Sequence, residues 1–140
     1  MTDFNVLLAF DFGMKRIGVA IGTTVTSRAR ALTMLPAING QPDWHVVKKL
    51  IQNWHPDALI VGIPLNMDGT TQTITEHAKK FAMHLKQQIG LPILEVDERL
   101  TSVAAREDVF QAGGYKALKK TQIDSVAAQI ILQNWLDNCS

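Results

Sequence analysis

Asn5-Val6-Leu7-Leu8-Ala9-Phe10-Asp11-Phe12-Gly13 is an apolar run that closes on a carboxylate and a glycine. Asp is depleted in strands and is almost never fully buried without a partner, so Asp11 in a strand-like run needs a reason. Gly13, Lys15 and Arg16 make a turn, and Ile17-Gly18-Val19-Ala20-Ile21-Gly22 reads as a second apolar strand running back beside the first. Asp11 then belongs to the central strand of a sheet, near the mouth of a tight hairpin. A strand-end Asp often caps such a turn by bonding a backbone N–H, so this stretch alone leaves a structural and a chemical role open.

Downstream, Arg28 to Pro36 alternates weakly and reads as an edge strand ended by Pro36. Three strands on short turns make an antiparallel meander. From Pro42 the period changes to a helical one, with Trp44, Val47, Leu50, Ile51 and Trp54 on one stripe and Pro56 closing it. Both tryptophans read as core. Ala58-Leu59-Ile60-Val61-Gly62-Ile63 is continuously apolar, the pattern of a strand covered on both faces.

Pro64 to Gly69 is turn-rich and leads to a helix carrying Ile74, Ala78, Phe81, Ala82, Leu85 and Ile89, with Thr73 and Glu76 fitting a capping box and Gly90 as the stop. Pro92 to Val96 is the next strand, followed by Asp97-Glu98-Arg99-Leu100-Thr101-Ser102. Strand, helix, strand with short loops is a parallel crossover. A short helix through Ala104, Ala105, Val109 and Phe110, a basic glycine-containing stretch from Gly113 to Lys120, and a last helix from about Thr121 to Asp137 complete the chain. The expected architecture is one α/β domain over residues 1–140, with a mixed five-stranded sheet of three antiparallel and two parallel strands flanked by helices.

A chain of 140 residues can bury a proper core without staples. Its 46% hydrophobic and 19% charged content is that of a globular protein, and a net charge of +1 gives no global basic field, so any polyanion must be met by local patches. A single cysteine, Cys139, excludes a disulfide framework and a CxxC zinc site, and points to a reducing, cytoplasmic setting. The first apolar run is too short for a bilayer and contains Asp11, so neither a signal peptide nor a membrane helix is expected.

Carboxylates recur at the end of the first strand, at the end of the last strand and on the last helix. There Asp124 shares a stripe with Ala127, Ala128, Ile131 and Trp135 and points to the sheet. An Asp serving only the helix dipole has no need of that face. Three converging acids repel unless a cation neutralises them. Oxygen donors without His or Cys suit Mg²⁺ or Mn²⁺, and two such ions about 4 Å apart clamp an in-line phosphoryl displacement. Lys15, Arg16 and Arg99 flank the acids, and Thr101 and Ser102 open a helix whose N–H groups can hold a phosphate. Asp97 and Glu98 are adjacent, so on a continuing strand only one can join Asp11, and Glu98 is the choice. Asp97 remains open as a second ligand. Lys116, Lys119 and Lys120 make the glycine-containing stretch a candidate basic flap for nucleic acid.

Four blocks, Asp11 to Ala20, Val61 to Gly69, Asp97 to Ser102 and Ile123 to Ala128, resemble in order the signature blocks of the YqgF family, also called RuvX or the pre-16S rRNA nuclease family. The resemblance spans nearly the whole chain. It implies a ribonuclease H-like fold, a divalent-metal nuclease site like that of the RuvC junction resolvases, a cytoplasmic location, and a role in maturing the 5′ end of 16S rRNA in ribosome biogenesis. The family's acids fall on Asp11, Asp97 or Glu98, and Asp124.

Other readings remain beside it. A Holliday junction resolvase-like DNA endonuclease uses the same acids on another phosphodiester. A non-catalytic ribosome-associated factor would keep the fold without turnover. An Asp-x-Gly hairpin before Gly-Val-Ala also resembles the phosphate-binding hairpin of the actin and sugar-kinase fold, but those proteins use two such domains and this chain has length for one. The expected partner is structured RNA, pre-16S rRNA or branched DNA, with a pre-ribosomal particle as an alternative carrier and no membrane, and the protein acts as a monomer or homodimer.

Overall fold

Continuous burial along the interiors of the first two apolar runs marks the centre of a sheet covered on both faces: β1 (Val6–Asp11) pairs antiparallel with β2 (Arg16–Thr23). The computed structural model of the chain describes residues 4–64, 73–97 and 120–138, the side chains of 120–125 excepted. β3 (Arg28–Ile38) continues the meander with β4 (Gln41–Pro42) at its edge, β5 (Ala58–Ile63) and β6 (Ile93–Asp97) add in parallel beside β1, and the sheet order is β4-β3-β2-β1-β5-β6. The three antiparallel and two parallel strands are as the sequence predicts. Among the described residues the sheet has six strands, however, because Gln41–Pro42 forms a two-residue β4 against Ala37 and Ile38.

That addition follows from Pro36. Ala37 N–H donates to Lys15 O at 2.8 Å, so alternation turns the Pro36 nitrogen to the outer edge, where no ladder bond is lost. The strand therefore runs through Pro36 to Ile38 and offers β4 its tail. Farther back along the same edge, Ala29 is closed by side chains: its N–H donates to Gln133 Oε1 at 2.9 Å and its carbonyl accepts from Gln129 Nε2 at 3.2 Å. Both glutamines stand on α3 (Lys120–Asp137), which protects an otherwise open strand from pairing with another chain.

The sheet is covered on both sides. Helices α1 (Trp44–Trp54) and α2 (Thr73–Ile89) bury one face, where Leu8, Phe10, Val19, Leu59, Val61, Phe81 and Leu85 pack together. Phe81 meets Phe10, Phe12 and Trp44 with ring centroids 5.7, 5.4 and 5.9 Å apart, so half-buried Trp44 packs against the core. The other face is covered by α3, whose Ala128, Ile131, Leu132 and Leu136 close over Leu7, Ala9, Ala20 and Ile60. Each of the larger buried side chains is worth roughly 1.5–3 kcal/mol of transfer free energy.

Caps fix the helix ends. Asp43 accepts from His45 N–H at 3.0 Å ahead of α1, and His55, at φ 48°, terminates it before Pro56. Thr73 is itself helical and so is not the N-cap of α2; buried Thr75 donates its hydroxyl to Pro64 O, tying α2 to the end of β5. Gly90, at φ 80°, ends α2 as expected.

Candidate active site

Asp11 is the last residue of β1, and its register neighbours are Gly18 on β2 and Gly62 on β5. Paired residues share a face, and neither glycine raises a side chain there. The half-buried Asp11 therefore stands in a trough one strand wide on either side. It alternates with Leu7 and Ala9, so this trough lies on the face that α3 covers. Sequence reasoning missed both glycines, although a glycine inside a strand is a signal of close backbone approach.

The turn after Asp11 is built around a second steric constraint. A Cβ on Gly13 would come 2.4 Å from Arg16 O, a contact that real side chains do not make, so the hairpin closes this tightly only with glycine there. Buried Phe12 points to the opposite face and packs on Gly40, where a Cβ would lie 2.8 Å from the ring edge. Gly40 N–H donates to Met14 O at 2.8 Å, which pins the same turn from the β4 side. Exposed Lys15 and half-buried Arg16 thereby stand at the Asp11 end of the sheet.

Asp97, also half-buried, closes β6 beside Ile63. Its face is that of Ile63 and Ile93, toward α1 and α2, whereas Leu94 and Val96 take the α3 face. Asp11 and Asp97 thus come to the same end of the sheet but to opposite sides. Glu98, Arg99, Thr101, Ser102, Lys116 and Lys119 lie outside the described residues, as do the side chains of Lys120 and Asp124. Position 124 falls within α3, four and seven residues before the wholly buried Ala128 and Ile131.

The direction of α3 follows from its packing. A Cβ on Gly22 would come 2.9 Å from Leu132 Cδ2 and 3.1 Å from Leu136 Cδ1, and Gly22 pairs with Leu7 at the start of β1. The carboxyl half of α3 therefore lies over the start of β1, and its amino end points toward Asp11. Among the described residues no three His, Cys, Asp or Glu gather as a metal cluster. The four histidines are on or beside α1 and α2, across the sheet from the trough. Asp57, which the sequence did not single out, has its carboxyl held below the usual range by the N–H groups of Val6 and Asn5, which it accepts at 2.9 and 2.8 Å. It fixes the start of β1, not the site.

A carboxylate at the carboxyl end of a central strand, under a covering helix, is set in a fold shared with proteins of known structure. RuvC of T. thermophilus in complex with Holliday junction substrate superposes with a TM-score of 0.58 at 17% identity over 96% of this chain and 95% of that one. Fowlpox virus resolvase with Holliday junction DNA gives 0.59 at 10% identity over 96% and 98%. The fold is therefore that of these resolvases, ribonuclease H-like as the motif blocks imply. In sequence, a protein of Pectobacterium atrosepticum named "Putative pre-16S rRNA nuclease" is 53% identical over 95% of this chain and 96% of its own. One of the same name in Haemophilus ducreyi is 48% identical over 96% and 97%. The RuvX family model, described as Holliday junction resolvase, matches residues 5–138, and the chain belongs to that family.

Proposed function

We propose that the protein is a divalent-metal-dependent endonuclease that processes the 5′ end of pre-16S rRNA. Membership of the RuvX family makes it a nuclease, a hydrolase of phosphodiester bonds. The observation that carries the metal site is Asp11 at its strand end between Gly18 and Gly62, neither of which raises a side chain beside the carboxylate. An oxygen donor on a sheet face that, among the described residues, is clear of His and Cys suits Mg²⁺ or Mn²⁺.

Glu98 and Asp124 complete the acid set in this reading. Strand alternation sends Asp97 to the α1/α2 face, which supports Glu98 as the β6-side partner of Asp11 and leaves Asp97 to secure the strand end. Asp124 lies eight residues before Leu132, or about 12 Å along a helix. Asp11 lies four residues beyond Leu7, or about 13 Å along a strand. Since Leu132 packs at the level of Leu7, these two lengths support Asp124 at the level of Asp11.

When bound, two divalent cations supply Lewis-acid charge at the scissile phosphate and a water of lowered pKa. The chain's own work is to hold and orient. Asp11, Glu98 and Asp124 provide the anionic oxygens, and Lys15 and Arg16 meet the flanking phosphates from the turn. Arg99 with the N–H groups at Thr101 and Ser102 does so from the β6 side, and Lys116, Lys119 and Lys120 engage the strand beyond. With a net charge of +1, few phosphates are met in all, which supports recognition on a folded RNA or particle over bare strand binding.

The test is cleavage by the purified protein, with Mg²⁺ or Mn²⁺, of precursor rRNA carrying its 5′ leader, run beside precursor particles and four-way DNA junctions. Cutting of precursor RNA or particles that Asp11→Asn abolishes supports the reading. Cleavage confined to the junction makes the resolvase reading correct, the one suggested by the family's description. No cleavage of any substrate with Mn²⁺ bound favours a ribosome-associated binding factor.

A further inference from the structure

At the other end of the sheet from Asp11, a cavity of about 470 Å³ opens between the β2–β3 hairpin and the carboxyl end of α1. Val6 and Ile21 give it an apolar floor, Thr23 and Thr26 a hydroxyl rim, and Arg28, Arg30 and Trp54 its walls. The volume is within the range of small-ligand sites, which join an apolar body to a few placed polar groups. Among the described residues its charge is one-sided: no carboxylate lines it, and the Asp57 carboxyl is already engaged by the Asn5 and Val6 N–H groups.

The two arginines are set by register. Arg28 pairs with Thr23 and Arg30 with Ile21, so both rise from one face of β3, about 7 Å apart along the strand. The Arg30 guanidinium carbon lies 5.3 Å from the centroid of the Trp54 ring, a cation over an indole. The guanidinium is itself planar, and with the indole beside it offers surfaces on which an aromatic ring can stack. Arg28 stands at the hairpin end, near the Thr23 and Thr26 hydroxyls, which lie 2.9 Å apart. An exposed cation beside hydroxyls is suited to a phosphate.

We propose that this cavity binds one nucleotide unit, its base stacked on the Arg30–Trp54 pair and its phosphate held by Arg28 and the hairpin hydroxyls. The site lies about 17 Å from Asp11 along β1 and on the α1/α2 side of the sheet, so it stands independently of the nuclease reading. The same chemistry is offered by a free mononucleotide and by an unpaired nucleotide of an RNA strand.

The experiment is calorimetric titration of the full chain in EDTA, which removes divalent cations from the carboxylates, with AMP and with a short single-stranded oligoadenylate. Wild type, Arg28→Ala/Arg30→Ala and Asp11→Asn are compared, with thermal melts confirming that each is folded. Neither arginine is buried, so the double variant keeps its core. Binding in wild type and Asp11→Asn that weakens at least tenfold in the double variant supports the site. Equal affinity for both ligands identifies the free mononucleotide as its occupant, and a large gain for the oligonucleotide identifies a strand. Affinities unchanged by the double substitution, or no binding of either ligand at millimolar concentration, overturn the proposal. Neither result touches the cleavage assay, whose failure is separately visible.

Discussion

Asp11 and Asp97 end two parallel strands that flank β5, yet they stand on opposite faces of the sheet. Their strands are about 10 Å apart, near enough for a shared site if distance alone mattered. Face decides instead. Glu98→Gln is expected to lower cleavage at least about a hundredfold, since even residues that only support metal ligands cost 10–100-fold. Asp97→Asn is expected to stay within about tenfold of wild type. Mn²⁺ calorimetry and cleavage of precursor RNA check both, and the reverse order would transfer the ligand role to Asp97.

Asp11→Asn is expected to abolish cleavage while leaving the metal-free protein as stable as wild type or more so. With Asp11, Glu98 and Asp124 converging as proposed, neutralising one of them removes a repulsion that exists only without cations. Melting curves in EDTA and in Mg²⁺ separate the cases. A variant that melts well below wild type in EDTA would mean that Asp11 is a structural cap.

Gly13→Ala tests the turn that carries Lys15 and Arg16. Its Cβ would be built 2.4 Å from Arg16 O, and the backbone must move to relieve the clash. A destabilisation of about 1–3 kcal/mol in urea unfolding is expected, the size typical of overpacking, together with reduced cleavage. An alanine variant of unchanged midpoint and activity would show that the hairpin tolerates a wider turn.

Asp57 supplies a pH dependence. The N–H of Val6, and then that of Asn5, holds its carboxyl below the usual value, so the folded state favours the carboxylate. A group whose pKa falls on folding stabilises the protein above its unfolded value, near 3.9, and loses that contribution as pH falls through the folded one. The melting temperature of Asp57→Asn should therefore lie below wild type at pH 7, with the gap closing below about pH 4. The carboxylate is solvent-exposed, so the gap is small. A gap that persists unchanged into acid would assign it to packing.

Changing Lys116, Lys119 and Lys120 to Ala together is expected to weaken RNA binding and to flatten its salt dependence. For every single-strand phosphate that the variant no longer neutralises, the slope of log K against log salt becomes shallower by about 0.7. Titrations of Asp11→Asn, with and without the three changes, from low to moderate salt give the slopes. Identical slopes would mean that these lysines are a solvated surface.

Much of this protein was determined by its sequence alone. Period 3.6 in α1 and α2 and the unbroken apolar runs of β1, β2 and β5 follow from which faces must leave water, and those patterns are local. So are Asp11 at a strand end, Gly90 as a helix stop and the RuvX motif blocks. Tertiary structure decided what depends on neighbours far along the chain. Gly18 and Gly62 become the walls of a trough only when β2 and β5 pair on either side of β1. Pro36 stays within β3 because its missing N–H falls on the sheet's outer edge, a fact that strand order settles and propensity cannot. Arg30 and Trp54 are 24 positions apart and meet only through the packing of α1 beside β3. Which face Asp97 takes is fixed by its pairing with Ile63, because register, unlike alternation, is a property of two strands.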